Sequence, residues 1–239
     1  MKKRFAAFVS TVLAAVLCAC SAAPKDVLPN KAAQPTEAPT QQAQTTQAAP
    51  TEQPTPEPDL VQQLLEEMTL EQKVGQLFLV RPDSLDLSQT QDQINDAKAD
   101  GVTELTDAMR QTLAEYPVGG VVIFDKNLES PQQITQFLDD LQQASDTPLF
   151  TAIDEEGGLV ARLANNAAFD LPQYESAAAV GTSGNPEDAR AMGRTIGGYL
   201  KEYGFNLDFA PVADVNTNPD NPVIGTRAFS NEPQTAADL

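Results

Sequence analysis

From Asp59 onward the sequence predicts an α/β fold, in which helices pack outside a parallel β-sheet. Two observations support this prediction. Four apolar segments have the nearly continuous apolar character of strands buried on both faces. These segments alternate with segments whose apolar residues recur at helical spacing. An open doubly wound sheet and a (β/α)8 barrel both fit the alternation, but no G-x-G-x-x-G phosphate loop follows any of the four segments, which disfavours a nucleotide-binding sheet.

The first two helices are predicted from their capping residues. Asp59 is expected to cap a helix whose apolar positions recur over residues 60–68. Thr69 and Gln72 stand three residues apart, as in a capping box, and therefore predict a short second helix directly after the first.

Three longer helices are predicted further along the chain, with Thr103, Ser130 and Asn185 as their caps. Pro follows the second and third of these caps, at the first helical position, where its missing N–H costs nothing. The predicted buried faces of the three helices consist of Leu105, Met109, Leu113, Ile134, Leu138, Leu141, Ala189, Met192, Ile196 and Leu200.

The four predicted strands cover residues 77–80, 118–124, 148–153 and 205–212. A further helix is expected to begin within residues 230–233. Strand and helix therefore alternate four times, which corresponds to half of a (β/α)8 barrel if the barrel alternative holds.

Residues 1–20 predict a lipoprotein signal peptide. A basic stretch at residues 2–4 precedes an apolar segment at residues 5–17, which is too short to span a bilayer of about 30 Å. The segment ends in Cys20, preceded by the small Ala19, an arrangement that resembles the bacterial lipobox. We therefore expect diacylglycerol on the Cys20 thiol and an extracytoplasmic location, with the protein anchored to the bacterial cell membrane; a plain signal peptide is the alternative.

A linker is predicted at residues 21–58, where Pro, Thr, Gln and Ala predominate and aromatic residues are absent. Such a segment buries too little apolar surface to offset the entropy lost on ordering, so we expect an extended tether. The globular part of the chain is then residues 59–239.

The composition excludes several classes of function. The formal net charge of −19 argues against nucleic-acid binding through a basic face. The chain has no histidine, which rules out a Ser-His-Asp arrangement within it, and both cysteines lie in the first 20 residues. We expect no metal and no cofactor. The carboxylates that remain suit glycoside hydrolysis or binding of a hard cation.

An unusual charged segment follows the third predicted strand. Asp154, Glu155 and Glu156 are adjacent, and two glycines and then Arg162 follow them. Three neighbouring carboxylates repel one another, so the segment is either a functional cluster at the carboxyl end of a strand or a solvated acidic loop.

A second unusual segment follows the fourth predicted strand, where a loop rich in Asn, Asp and Pro leads to Arg227. Asp208 and Asp214 in this segment are expected to be structural, because acids at strand ends often accept hydrogen bonds from loop amides. Arg227 is either a surface cation or part of a site.

These two segments, together with residues 68–77, resemble glycoside hydrolase family 3. The similar branch is that of the β-N-acetylhexosaminidases, which cleave N-acetylglucosamine from peptidoglycan fragments. The resemblance covers residues 68–229 and implies a (β/α)8 barrel. Residues 59–239 would then be the N-terminal half of that barrel, so we expect the sequence to be truncated.

The resemblance implies a role for three residues. Asp154 would accept hydrogen bonds from hydroxyls of the sugar in the −1 subsite, and Arg162 and Arg227 would be further substrate-binding groups. The family mechanism is retaining, with an Asp nucleophile and a His acid/base that would both lie beyond Leu239. No residue of this chain is therefore expected to be catalytic.

Three positions depart from the family pattern. Glu155 stands where many relatives have Gln, Leu159 where Arg is frequent, and Thr226 where Asp is common. These departures bear on the identity of the sugar more than on membership of the family.

Two alternatives remain open at this point. One is another family 3 β-glycosidase, such as a glucosidase or a xylosidase. The other is a non-catalytic sugar-binding lipoprotein, which becomes the better interpretation if Leu239 is the true terminus. The carbohydrate substrate and the membrane are the expected partners, and the sequence assigns no oligomeric state.

The lipobox predicts a specific modification. Mass spectrometry of the mature protein should show an N-terminal Cys20 that carries a diacylglycerol group. The Cys20→Ser variant should accumulate as unprocessed precursor, whereas Cys18→Ser should be processed normally. An unmodified residue at the mature N-terminus would exclude the anchor.

Overall fold

The computed structural model describes residues 59–239, which form an α/β unit with a parallel sheet, as the sequence predicts. The predicted signal peptide with Cys20 and the predicted linker lie outside the described residues. Within residues 59–239, no helix combines the length and the apolar character that a membrane span requires.

In residues 59–239, six strands form two sheets. They are β1 (Leu79–Val80), β2 (Gly120–Ile123), β3 (Phe150–Ile153), β4 (Glu155–Gly157), β5 (Val160–Ala161) and β6 (Leu207–Asp208). The main sheet has the order β1-β2-β3-β6, and every neighbouring pair in it is parallel. Strands β4 and β5 pair in an antiparallel hairpin that directly follows β3.

Eight helices surround the main sheet in the described residues. They are α1 (Leu60–Glu67), α2 (Leu70–Gly75), α3 (Gln91–Asn95), α4 (Asp107–Glu115), α5 (Pro131–Ala144), α6 (Ala177–Gly181), α7 (Pro186–Glu202) and α8 (Pro233–Asp238). Short 3-10 turns occupy Pro82–Leu85, Asp125–Asn127 and Gly225–Arg227.

Most of the predicted caps are present. The Asp59 carboxylate accepts hydrogen bonds from the first turn of α1, and Thr69 and Gln72 form the reciprocal capping box of α2. The Ser130 hydroxyl and the Asn185 side chain cap α5 and α7. These helices begin where predicted because a side chain satisfies backbone N–H groups that have no partner within the helix.

The predicted cap of α4 was wrong. The Thr106 hydroxyl, and not that of Thr103, accepts the hydrogen bond from the Met109 N–H. The segment before Thr106 is extended because its backbone is tied elsewhere: the Val102 N–H donates to Asp83, and the Thr103 carbonyl accepts from Gln133.

All four predicted strands are shorter than expected, and the first and the last differ most from the prediction. Leu77 and Phe78 are 79% and 55% exposed, and their N–H groups donate to α2 carbonyls, so they continue the helical turn. The predicted strand 205–212 pairs only at Leu207–Asp208, followed by one more hydrogen bond from the Phe209 N–H to the Ile153 carbonyl. Pro211, two residues later, has no N–H with which to extend the pairing.

The core lies between the main sheet and α4, α5 and α7. All ten residues of the three predicted apolar faces are buried. In contrast, the apolar residues of α1 are exposed in the described unit, with Leu60 at 73% and Val61 at 68%. The amphipathic periodicity correctly predicted that α1 is a helix. It could not predict whether another part of the protein covers the apolar face of that helix.

Phe137 on α5 is the largest of the fully buried side chains, so a substitution at this position tests the packing of the core. Phe137→Ala should lower the free energy of unfolding by roughly 3–5 kcal/mol, because it removes apolar contacts and leaves a cavity. Urea denaturation followed by circular dichroism measures the change. The exposed residue Gln132 on the same helix provides the control Gln132→Ala, which should have little effect; an equal loss in both variants would contradict the described packing.

Candidate functional site

The polar residues of the site lie at the carboxyl end of the main sheet. Asp125 follows β2, Asp154 follows β3, and Asp208 is the last residue of β6. Because the strands are parallel, their carboxyl ends meet at one edge, which is where α/β proteins bind their ligands.

The β4–β5 hairpin brings Arg162 back to Asp154. Its turn contains Gly157 and Gly158, with φ of +82° and +68°, a backbone conformation that residues with a Cβ rarely adopt. A Cβ at Gly158 would also lie 2.8 Å from the Glu175 carbonyl oxygen. The two glycines therefore allow the tight return of the chain that the sequence alone indicated only as a loop.

Glu155 anchors the hairpin and is fully buried. Its carboxylate accepts hydrogen bonds from the N–H groups of Leu163 and Ala164, both at 2.9 Å, and from the Tyr199 hydroxyl at 2.8 Å. Burial and the neighbouring Glu155 charge raise the pKa of Tyr199 well above its usual range, so the phenol stays protonated and continues to donate. Glu155 thus positions the segment of chain that contains Arg162. The Glu155 side chain itself faces the core instead of the site.

Asp208 holds the other side of the hairpin. Its carboxylate accepts a hydrogen bond of 3.0 Å from the Glu155 N–H, which is the structural role expected for it. Burial raises the pKa of Asp208 to about 6, and the nearby charges of Glu155, Asp154 and Glu156 act in the same direction, whereas the backbone hydrogen bond opposes the shift.

Asp154 and Arg162 form an ion pair at the end of β3. Arg162 Nη2 lies 3.1 Å from Asp154 Oδ2, and Arg162 Nη1 lies 2.8 Å from Asp125 Oδ2. Both side chains of the Asp154–Arg162 pair are about one-quarter exposed and can therefore be reached by a ligand. The Arg162 guanidinium also lies over the Phe124 ring, with Cζ 5.4 Å from the ring centroid.

Arg227 is held by Glu156 through a bidentate contact. Arg227 Nε lies 2.8 Å and Nη2 2.6 Å from the two Glu156 carboxylate oxygens. The hydrogen bond to Glu156 and the charges of Glu156, Asp214 and Asp154 raise the pKa of Arg227, while desolvation opposes the shift. Arg227 therefore approaches the acidic cluster from the loop after β6, in a geometry that is fixed by both oxygens.

The structure thus gathers the acidic cluster after β3 and both predicted arginines at one edge of the sheet. Sequence reasoning missed the contributions of Asp125 and Phe124, which follow β2, and of Tyr199 as a partner for Glu155. The position of Asp125 directly after a predicted strand could have indicated it; nothing local indicates the role of Tyr199.

No group of three His, Cys, Asp or Glu side chains in residues 59–239 is arranged to hold a metal ion. The expectation that no cofactor is needed remains a prediction from the sequence. The described site offers hydrogen bonding by carboxylates and guanidinium groups.

A comparison with known protein families matches residues 69–239 to the glycosyl hydrolase family 3 N-terminal domain. The chain belongs to glycosyl hydrolase family 3. This assignment confirms the resemblance drawn from the three sequence segments.

Similar curated proteins are named as hexosaminidases. β-Hexosaminidase A of Pseudoalteromonas piscicida is 36% identical over 143 residues, which are 58% of this chain and 24% of that protein. A β-hexosaminidase of Nitrosomonas eutropha is 35% identical over 57% of this chain and 40% of its own length. The chain therefore spans less than half the length of these relatives.

Two solved structures have a similar fold, and the first of them is described as a glycoside hydrolase family 3 enzyme. A β-N-acetylglucosaminidase from Paenibacillus sp. str. FPU-7 is 34% identical with a TM-score of 0.60, over 72% of this chain and 29% of that one. NagZ from Neisseria gonorrhoeae is 26% identical with a TM-score of 0.51, over 57% of this chain and 41% of that one.

The raised pKa of Asp208 predicts a dependence of stability on pH. Because the folded state binds this proton more tightly than the unfolded state, Asp208 makes folding less favourable as the pH rises from about 4 to about 6. Asp208→Asn should therefore gain stability relative to the wild type over this range, on the order of 1–2 kcal/mol.

Urea denaturation at about pH 4 and about pH 7 measures this difference. The exposed residue Asp170 gives a matched control, since Asp170→Asn removes one negative charge without touching the hairpin. A stability difference between Asp208→Asn and the wild type that is the same at both pH values, or that matches the control, would contradict the assignment.

Proposed function

We propose that this chain supplies the sugar-binding part of a β-N-acetylhexosaminidase. The enzyme would hydrolyse terminal β-linked N-acetylglucosamine from peptidoglycan fragments or related glycans, with retention of configuration. The observation that carries the proposal is the Asp154–Arg162 ion pair at the carboxyl end of β3, next to the Arg227–Glu156 pair.

The chemistry of the two ion pairs suits a sugar. A hydroxyl group can donate a hydrogen bond to a carboxylate and accept one from a guanidinium group at the same time. A sugar can therefore bind across Asp154 and Arg162 without separating the charges. The near-neutral balance of these pairs favours an uncharged ring over an ionic ligand.

Family relatives support the choice of sugar. The similar curated proteins are named β-hexosaminidases, and one NagZ structure from Neisseria gonorrhoeae is a complex with N-trifluoroacetyl-D-glucosamine. On this basis we place N-acetylglucosamine before glucose or xylose as the substrate of the complete protein.

The four parallel strands, paired in chain order, are proposed to be the first half of a (β/α)8 barrel. The greater length of the relatives is consistent with a second half. In this proposal the Asp nucleophile and the His acid/base belong to that second half, while Asp154, Arg162 and Arg227 hold the sugar.

The location is proposed from the sequence. Cys20 would carry the lipid, and residues 21–58 would tether the folded part to the extracytoplasmic face of the membrane. Such a tether would let the site reach glycan ends at some distance from the lipid surface.

The complete protein should release nitrophenol from p-nitrophenyl N-acetyl-β-glucosaminide faster than from the corresponding β-glucoside or β-xyloside. Arg162→Lys should lower kcat/KM about 10-fold or more, because a lysine ammonium cannot reproduce the planar fork of the guanidinium. Arg194→Lys, at an exposed arginine of α7, is the matched control. Absence of turnover on every aryl β-glycoside would refute the proposed function. Faster turnover of the glucoside would instead indicate a family 3 β-glucosidase.

A further inference from the structure

A cavity of about 250 Å³ adjoins the Asp154–Arg162 pair. Its wall includes Arg81 from the loop after β1, Asn95 from α3, Phe124 from the loop after β2, and Arg162. The cavity therefore lies at the same carboxyl edge as the sugar site and shares Arg162 with it.

Phe124 fixes the two arginines of this cavity. The Arg81 guanidinium carbon lies 4.8 Å from the Phe124 ring centroid, and that of Arg162 lies 5.4 Å from it. Both distances are within the range of a favourable cation–π contact. The half-buried ring thus holds two positive charges close together.

Not every positive charge around the cavity is paired with a carboxylate. Arg162 is paired with Asp125 and Asp154, and Lys126 is paired with the buried Asp83. No carboxylate pairs with Arg81 in the part of the chain that the structure describes. An arginine that lacks an acid partner is unexpected in a chain with 34 acidic and 15 basic residues.

Arg81 also has unused hydrogen-bond donors. Its Nη1 donates to the Ile94 carbonyl at 2.8 Å and to Asn95 Oδ1 at 3.3 Å, which locks the side chain against α3. The N–H groups on Nε and Nη2 have no acceptor among residues 59–239. The buried Arg162 Nε likewise has no acceptor in this part of the chain. The cavity wall also contains the Asp125 carboxylate, which pairs with Arg162, so its donors without an acceptor belong to Arg81 and Arg162.

We propose that Arg81 forms a second subsite, which binds a carboxylate on the sugar joined to the terminal N-acetylhexosamine. A guanidinium fork matches a carboxylate in geometry and charge, and this one stands beside the proposed sugar site, where the leaving group of the substrate would lie. The inference rests on the proposed function and deepens it, because it makes Arg81 the residue that selects an acidic aglycone.

The test uses the complete protein and two disaccharides that differ by a single charge. One is N-acetylglucosamine β-1,4-linked to N-acetylmuramic acid, and the other is the methyl ester of the same compound. The wild type should hydrolyse the acid with a kcat/KM about 10-fold or more above that of the ester, as expected for a charge-assisted contact. Arg81→Gln should bring the acid-to-ester ratio of kcat/KM towards one. Arg81→Lys should give an intermediate ratio, because lysine keeps the positive charge but lacks the planar fork of the guanidinium group.

Arg190→Gln removes an exposed arginine of α7 and should keep the wild-type ratio. Equal hydrolysis of acid and ester by the wild type would overturn the inference whether or not the Arg81 variants fold. Retention of the wild-type ratio by Arg81→Gln would overturn it as well. Hydrolysis of neither disaccharide nor the aryl glycoside would refute the proposed function itself, so the two failures are distinguishable.

Discussion

The buried Glu155 carboxylate is the interaction on which the rest of the site depends. It joins three parts of the chain: the end of β3, the segment after β5, and α7 through the Tyr199 hydroxyl. An ionised group is stable there only because three donors satisfy it, so losing one of them would leave part of a buried charge unpaired. Asp154 and Arg162 flank this anchor, and their approach follows from it.

The site also shows how a strongly acidic chain can present a locally balanced surface. Arg162 shares its charge between Asp154 and Asp125, and Arg227 faces Glu156 through both carboxylate oxygens. Each arginine satisfies an acid that would otherwise repel its neighbours. The acidic run after β3 is therefore neither a solvated loop nor a cluster of free charges, since one acid is buried and two are paired.

Features that depend on nearby residues could be predicted from the sequence. The caps Ser130 and Asn185 and the buried faces of α5 and α7 follow from local hydrogen bonding and helical spacing. The β4–β5 hairpin could not be predicted, because Tyr199 lies 44 residues from Glu155 and no local pattern pairs them. The position of Arg162 could be expected only from the family resemblance, and the role of Arg81 emerged only from its contact with Phe124.

The order of the strands in the main sheet has a consequence for how the chain folds during its synthesis. Each strand pairs with the preceding strand of the main sheet, and the two strands of the short hairpin are the only strands between β3 and β6 in the described chain. A nascent chain can therefore add one strand and its helix at a time to a growing edge, without waiting for a distant segment to be synthesised. The Glu155 anchor would close only when α7 has emerged, so the Asp154–Arg162 edge would form after β1, β2 and β3 have paired and before β6 joins the sheet.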